Sequence, residues 1–71
     1  MRRQARVEHP FTLPLEDGGT IALESGTCWI DEEGAYVLLT WTTDDGDRSA
    51  RISHAELAQR LILREFVYIS W

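Results

Sequence analysis

The chain has no lysine and a single cysteine, Cys28, among its 71 residues. With one thiol no internal disulfide can form, and a zinc site built from four cysteines is excluded. A lone thiol suits a reducing compartment, so a cytoplasmic location is expected. No apolar run approaches the roughly 18 residues that a membrane-spanning helix needs. Nor does an apolar stretch follow the Met-Arg-Arg start, as a secretory signal would require. Gly-rich phosphate loops, paired metal-ligand spacings and nucleophile elbows are missing as well. These absences lead to the expectation of a non-enzymatic protein with no cofactor and no metal.

Cations are few and unevenly placed. Net charge is −5, yet Arg2, Arg3 and Arg6 all fall in the first six residues. From Val7 onward four arginines face twelve acids, which leaves −8. Such a body repels phosphate backbones, so nucleic acid is an unexpected partner. Met1 to Glu8 shows no periodicity and reads as a flexible basic arm (1–8), followed by a single small domain (9–71). A chain this short buries only about 60% of the surface exposed by its unfolded form. Its elements must therefore share one core.

The stretch from Tyr36 to Ile52 reads as a β-hairpin. Tyr36 to Thr43 is β-branched and aromatic, Asp45-Gly46 offers a two-residue type I′ reversal, and Arg48 to Ile52 returns. That register sets Trp41 against Ala50 and Leu39 against Ile52. Upstream, Phe11, Leu13 and Leu15 alternate with polar residues, while Pro10 and Pro14 confine that strand to an edge. A turn at Asp17-Gly18-Gly19 leads to Thr20–Glu24, with Leu15 against Ile21. A second turn, at Ser25-Gly26, leads to Thr27–Asp31, with Leu23 against Cys28 and Ile21 against Ile30. Glu32-Glu33-Gly34 then connects to the central hairpin. One apolar face runs through all five strands, which makes an antiparallel meander the consistent reading.

Ser53-His54-Ala55-Glu56 fits a capping box and opens a helix whose stripe is Leu57, Ala58, Leu61 and Ile62. Phe66 to Trp71 is strand-like again. The expected class is α+β: a five-stranded antiparallel β-meander, one helix and a C-terminal strand. If that last strand pairs with the Phe11–Leu15 edge, a partly open SH3-like barrel results.

The opposite sheet face is the leading candidate site. Trp29, Tyr36, Leu38 and Arg51 point away from the expected core, with Ala22 and Thr40 beside them, and Trp, Tyr and Arg together have the composition of an interaction hot spot. The bland alternative is that the helix or last strand wraps round and buries Trp29. If the face is open, a protein partner or a second copy (a homodimer) is implied, and the expected function is an interaction module that works through this face or through an exposed edge strand. The acidic turns, Glu16-Asp17, Asp31 to Glu33 and Asp44-Asp45-Asp47, lack EF-hand spacing and read as solvated turn residues. They could also imitate a phosphate backbone, so an acidic inhibitor of a nucleic-acid-binding protein is the alternative function. His9, His54 and Cys28 could form a Cys-His pair for a small hydrolase, a distant third. Against it, Cys28 falls on the core face.

Overall fold

The computed structural model describes residues 2–69. Among these the chain forms β1 (Arg2–Val7), β2 (Phe11–Pro14), β3 (Thr20–Leu23), β4 (Gly26–Glu33), β5 (Tyr36–Thr43), β6 (Gly46–Ile52), helix α1 (His54–Ile62) and β7 (Phe66–Tyr68). Five strands make one antiparallel sheet in the order β6-β5-β4-β1-β7, and β2 pairs with β3 in a separate two-stranded sheet. The class is α+β, and the barrel is not closed.

The central hairpin keeps the expected faces but slides by two residues. Val37 pairs with Ile52, Leu39 with Ala50 and Thr43 with Gly46, so the loop is Asp44-Asp45 rather than Asp45-Gly46. A type I′ loop at Asp45-Gly46 would force Asp45 to positive φ. Here only Gly46, at φ 112°, takes that region, where a side chain would be strained. Thr43 completes the reversal: its Oγ1 accepts from the Asp45 N–H at 3.2 Å and donates to the Gly46 carbonyl at 3.0 Å. The β2–β3 hairpin slides likewise, to Leu13 opposite Ile21 and Phe11 opposite Leu23. Its reversal spans Leu15 to Gly19 and is tied by the Asp17 Oδ1, which accepts from the Gly19 N–H at 2.9 Å.

Three expectations are overturned. Arg2–Val7 is not a flexible arm but a strand with neighbours on both sides, six register pairs to β4 and three to β7. Its alternation is real though short: Ala5 and Val7 are buried while Arg2 and Arg6 are exposed. The Ser25-Gly26 turn does not make β3 and β4 a hairpin. β1 takes that edge of β4 with six pairs, more than the four residues of β3 could supply. Finally, β7 joins β1 rather than the Phe11–Leu15 edge. The C-terminal strand was expected to run to Trp71, but Ser70 and Trp71 lie outside the described residues.

One face of the large sheet forms the interior. Ala5, Val7, Cys28, Ile30, Val37, Leu39, Ile52 and Phe66 are buried there, against Leu13 and Leu23 of the small hairpin and Leu57 of the helix. Phe11 meets Phe66 edge to face, with ring centroids 5.4 Å apart. Burying each such aliphatic side chain is worth roughly 1.5–3 kcal/mol.

The helix begins as the capping signal implies: the Glu56 N–H donates to the Ser53 Oγ at 3.1 Å. Leu57 is its buried contact, with Leu61 half-buried, whereas Ala58 and Ile62 face outward. The stripe is therefore narrower than expected, because a nine-residue helix touches the sheet along a single line. Arg60 ties the helix end down. It bonds Glu56 and Glu65 and lies over the Phe11 ring, 5.7 Å from its centroid. Those two carboxylates hold its guanidinium above the usual arginine pKa.

Candidate functional site

Among the described residues nothing is layered over the face of the large sheet turned away from the interior: the helix and the β2–β3 hairpin both contribute to the core on the other side. Antiparallel register builds this face in rows. Arg51, Leu38, Asp31 and Arg2 stand side by side across β6, β5, β4 and β1, and Ser49, Thr40, Trp29 and Gln4 form the next row. Tyr36 follows at one end of β5, and Val67 lies beside Arg6 at the β7 side. Trp29, Tyr36, Leu38 and Arg51 thus share one surface, with Trp29 38% exposed, Tyr36 and Leu38 half-buried and Arg51 exposed. Ala22, expected alongside them, is instead in the separate β2–β3 sheet.

Two arginines on this face are stacked rather than ion-paired. The Arg2 guanidinium lies 4.5 Å from the centre of the Trp29 ring, and that of Arg51 lies 4.6 Å from Tyr36. Neither is in ion-pair contact with a carboxylate among the described residues. A guanidinium held over a ring by its cation–π contact still has N–H donors to offer carboxylates or main-chain carbonyls. Arg2 is the member that sequence reasoning misses, because its neighbours read as a flexible arm. The signal that could have found it is the alternation of Arg2, Gln4 and Arg6 with Ala5 and Val7.

The other candidates stand apart from this face. Cys28 is 2% exposed, and burial pushes its thiol up to about 11, away from the thiolate form that a nucleophile requires. His54 is exposed at the start of α1, where its Nε2–H donates to the Gly34 carbonyl at 2.8 Å and its Nδ1 lies 3.8 Å from Glu32. It pins the helix to the β4–β5 turn. His9 is exposed in the β1–β2 connection.

Acidic turns make local bonds: Asp47 accepts from the Thr42 hydroxyl at 2.8 Å, and Asp45 faces Arg48 at 3.8 Å. Among the described residues no group of three or more His, Cys, Asp or Glu could hold a metal ion. An open groove of about 820 Å³ rounds one end of the sheet past Leu23, Glu24, Trp41 and Asp44. In the described residues no helix is long and apolar enough to cross a membrane. Comparison with known proteins finds no matching family model, no matching curated protein and no matching solved structure.

Proposed function

We propose that this protein is a non-enzymatic protein-interaction module that binds through the open face built on Trp29, Tyr36, Leu38 and Arg51, with Arg2 as a fifth contributor. The observation that carries the reading is the pair of ring-stacked arginines left without carboxylates in a chain where acids outnumber cations. Desolvated by a partner, each stacked guanidinium is worth more than the ~0.5–1 kcal/mol of an exposed cation–π contact. Aromatic and arginine anchors around a half-buried leucine also match the composition of binding hot spots.

Size limits the kind of complex. The two longest dimensions, 29 and 27 Å, bound a flat contact at roughly 780 Å², just under the ~800 Å² per partner of a standard interface. The test compares the wild-type chain with Trp29→Ala and Arg51→Gln in light scattering and in affinity capture. Circular dichroism and urea unfolding serve as controls. Both variants should keep the fold and lose the complex by about tenfold or more in affinity. Undiminished binding by both would refute the reading. If binding survives there but vanishes when Asp44, Asp45 and Asp47 become Asn, the protein is an acidic mimic instead.

A further inference from the structure

Among the described residues β6 is the long edge of the large sheet. It runs seven residues with unbroken register to β5 and carries no proline, although Asp47, Arg48 and Arg51 put charge along it. The opposite edge, β7, has three described residues, and Pro14 ends β2 in the small sheet. A single contact shows which way the main chain of β6 points. The Glu16 N–H donates to the Arg51 carbonyl at 3.0 Å, so that carbonyl faces off the sheet. In an antiparallel strand a residue turns its N–H and C=O to the same side, and residues two apart agree. Arg51, Ser49 and Asp47 therefore aim both main-chain groups outward. Of these, only the Arg51 carbonyl has a main-chain partner among the described residues.

The surroundings select the visitor. A notch of about 510 Å³ wraps the edge, bordered by Leu15, Glu16, Tyr36, Ser49, Ala50 and Arg51. It gives room on the Ala50 side for an apolar side chain. Carboxylates stand at both ends of the edge, Asp44, Asp45 and Asp47 at the hairpin and Glu16 and Asp17 beside Arg51, and these five outnumber the strand's own Arg48 and Arg51, of which Arg48 faces Asp45 at 3.8 Å. From Asp47 to Arg51 the strand covers about 13 Å. A second copy pairing antiparallel along β6 would bring its Asp44 and Asp45 against Glu16 and Asp17.

We propose that the β6 edge takes an extended segment of a partner protein, with basic residues about five positions apart and apolar residues between, as an added sixth strand. This rests on the reading of the protein as an interaction module; it shares Tyr36 and Arg51 with the Trp29 face but docks through the outward main chain of β6 rather than through Trp29 and Leu38. Main-chain bonds to Ser49 and Asp47 supply the docking, and the flanking carboxylates choose the charge.

The experiment uses the full chain and two end-capped hexapeptides, Lys-Thr-Val-Thr-Val-Lys and its Glu-ended counterpart, followed by amide NMR shifts. The Lys peptide should move the amides of Asp47, Ser49 and Arg51, and weaken as salt rises from about 50 to about 300 mM. The Glu peptide should leave them unmoved. Ser49→Pro deletes an N–H that β5 does not use and is tolerated at an edge. It should lower affinity for the Lys peptide about tenfold or more, whereas Trp29→Ala should not change it. Should Ser49→Pro disturb the fold, a Lys peptide N-methylated at alternate residues asks the same question of wild type and should fail to bind. Equal binding by Ser49→Pro or by the methylated peptide overturns the proposal, as do shifts confined to Trp29 and Leu38. So does a dimer of the chain that Ser49→Pro abolishes. Loss of the Trp29-face complex alone leaves the edge proposal intact, so the two can fail separately.

Discussion

Replacing Arg64 by glycine should leave the protein more stable than replacing it by alanine, although glycine keeps no side-chain atom at all. Arg64 stands just past the helix C-cap, Leu63, at φ 61°. Its N–H donates to the Leu61 carbonyl at 3.1 Å, and the Glu65 N–H reaches the Arg60 carbonyl at 2.9 Å. That pair of bonds is a Schellman ending, whose left-handed residue is commonly glycine. A Cβ in that region costs roughly 1–2 kcal/mol. Glycine gives back about 0.5–1 kcal/mol through its greater freedom when unfolded. The net backbone gain is therefore about 0.5–1 kcal/mol, or roughly 2–8 °C in Tm for a chain this size.

The lost charge must be separated from that gain. Arg64 is exposed and has no ion pair among the described residues. Its remaining electrostatic role is with the helix dipole, about 0.3–1 kcal/mol. Arg64→Ala loses the same charge and keeps the Cβ, so the difference between Gly and Ala isolates the backbone. Urea unfolding followed by tryptophan fluorescence, with unchanged m, measures it. Equal stability of the two variants would refute the left-handed cap.

Other perturbations probe the remaining levels. Ser53→Ala should cost about 1 kcal/mol by orphaning the Glu56 N–H, read as a lower urea midpoint. Leu39→Ala should cost about 2–5 kcal/mol, because Leu39 is fully buried at the centre of the sheet. Loss of cooperative unfolding at room temperature is its far limit. Cys28 predicts a pH dependence. Its thiol rises from 9.0 to about 11 on folding, so the unfolded chain ionises first. Stability should hold below pH 9 and fall as pH climbs from about 9 to about 11, by about 1.4 kcal/mol per unit. Cys28→Ala should remove that share of the slope in urea midpoints taken across the window. Tyr68, raised mainly by burial, leaves a residual decline above its ordinary range.

What was legible in the sequence follows from period two. Side-chain alternation says which residues are inside, so Cys28, Ile30, Val37 and Leu39 are buried as expected, and Trp29, Tyr36, Leu38 and Arg51 share the other face. The same rule is blind to slides of two residues, which preserve both faces. Both hairpins slid in that way. Alternation is blind, too, to the difference between a neighbour in the sheet and a neighbour across the core. Leu23 was expected beside Cys28 within one sheet, yet it belongs to a second layer. Either arrangement dries both side chains, and only the competition of β1 for the β4 edge decides.

β1 itself was hidden by composition. With Ala5 and Val7 as its buried residues it has too little apolar content to announce a strand, and its stability comes from two flanking ladders. Inserting β1 changes the functional geometry as well as the fold. It widens the sheet past Trp29, carries Arg2 onto that ring, and supplies the edge on which Phe66–Tyr68 closes. Since β7 then occupies the far side, the long strand still offering main-chain groups among the described residues is β6. An edge is a property of strand order, which depends on all the pairings together. It could not be read from the local pattern of Gly46–Ile52, however clear that pattern was.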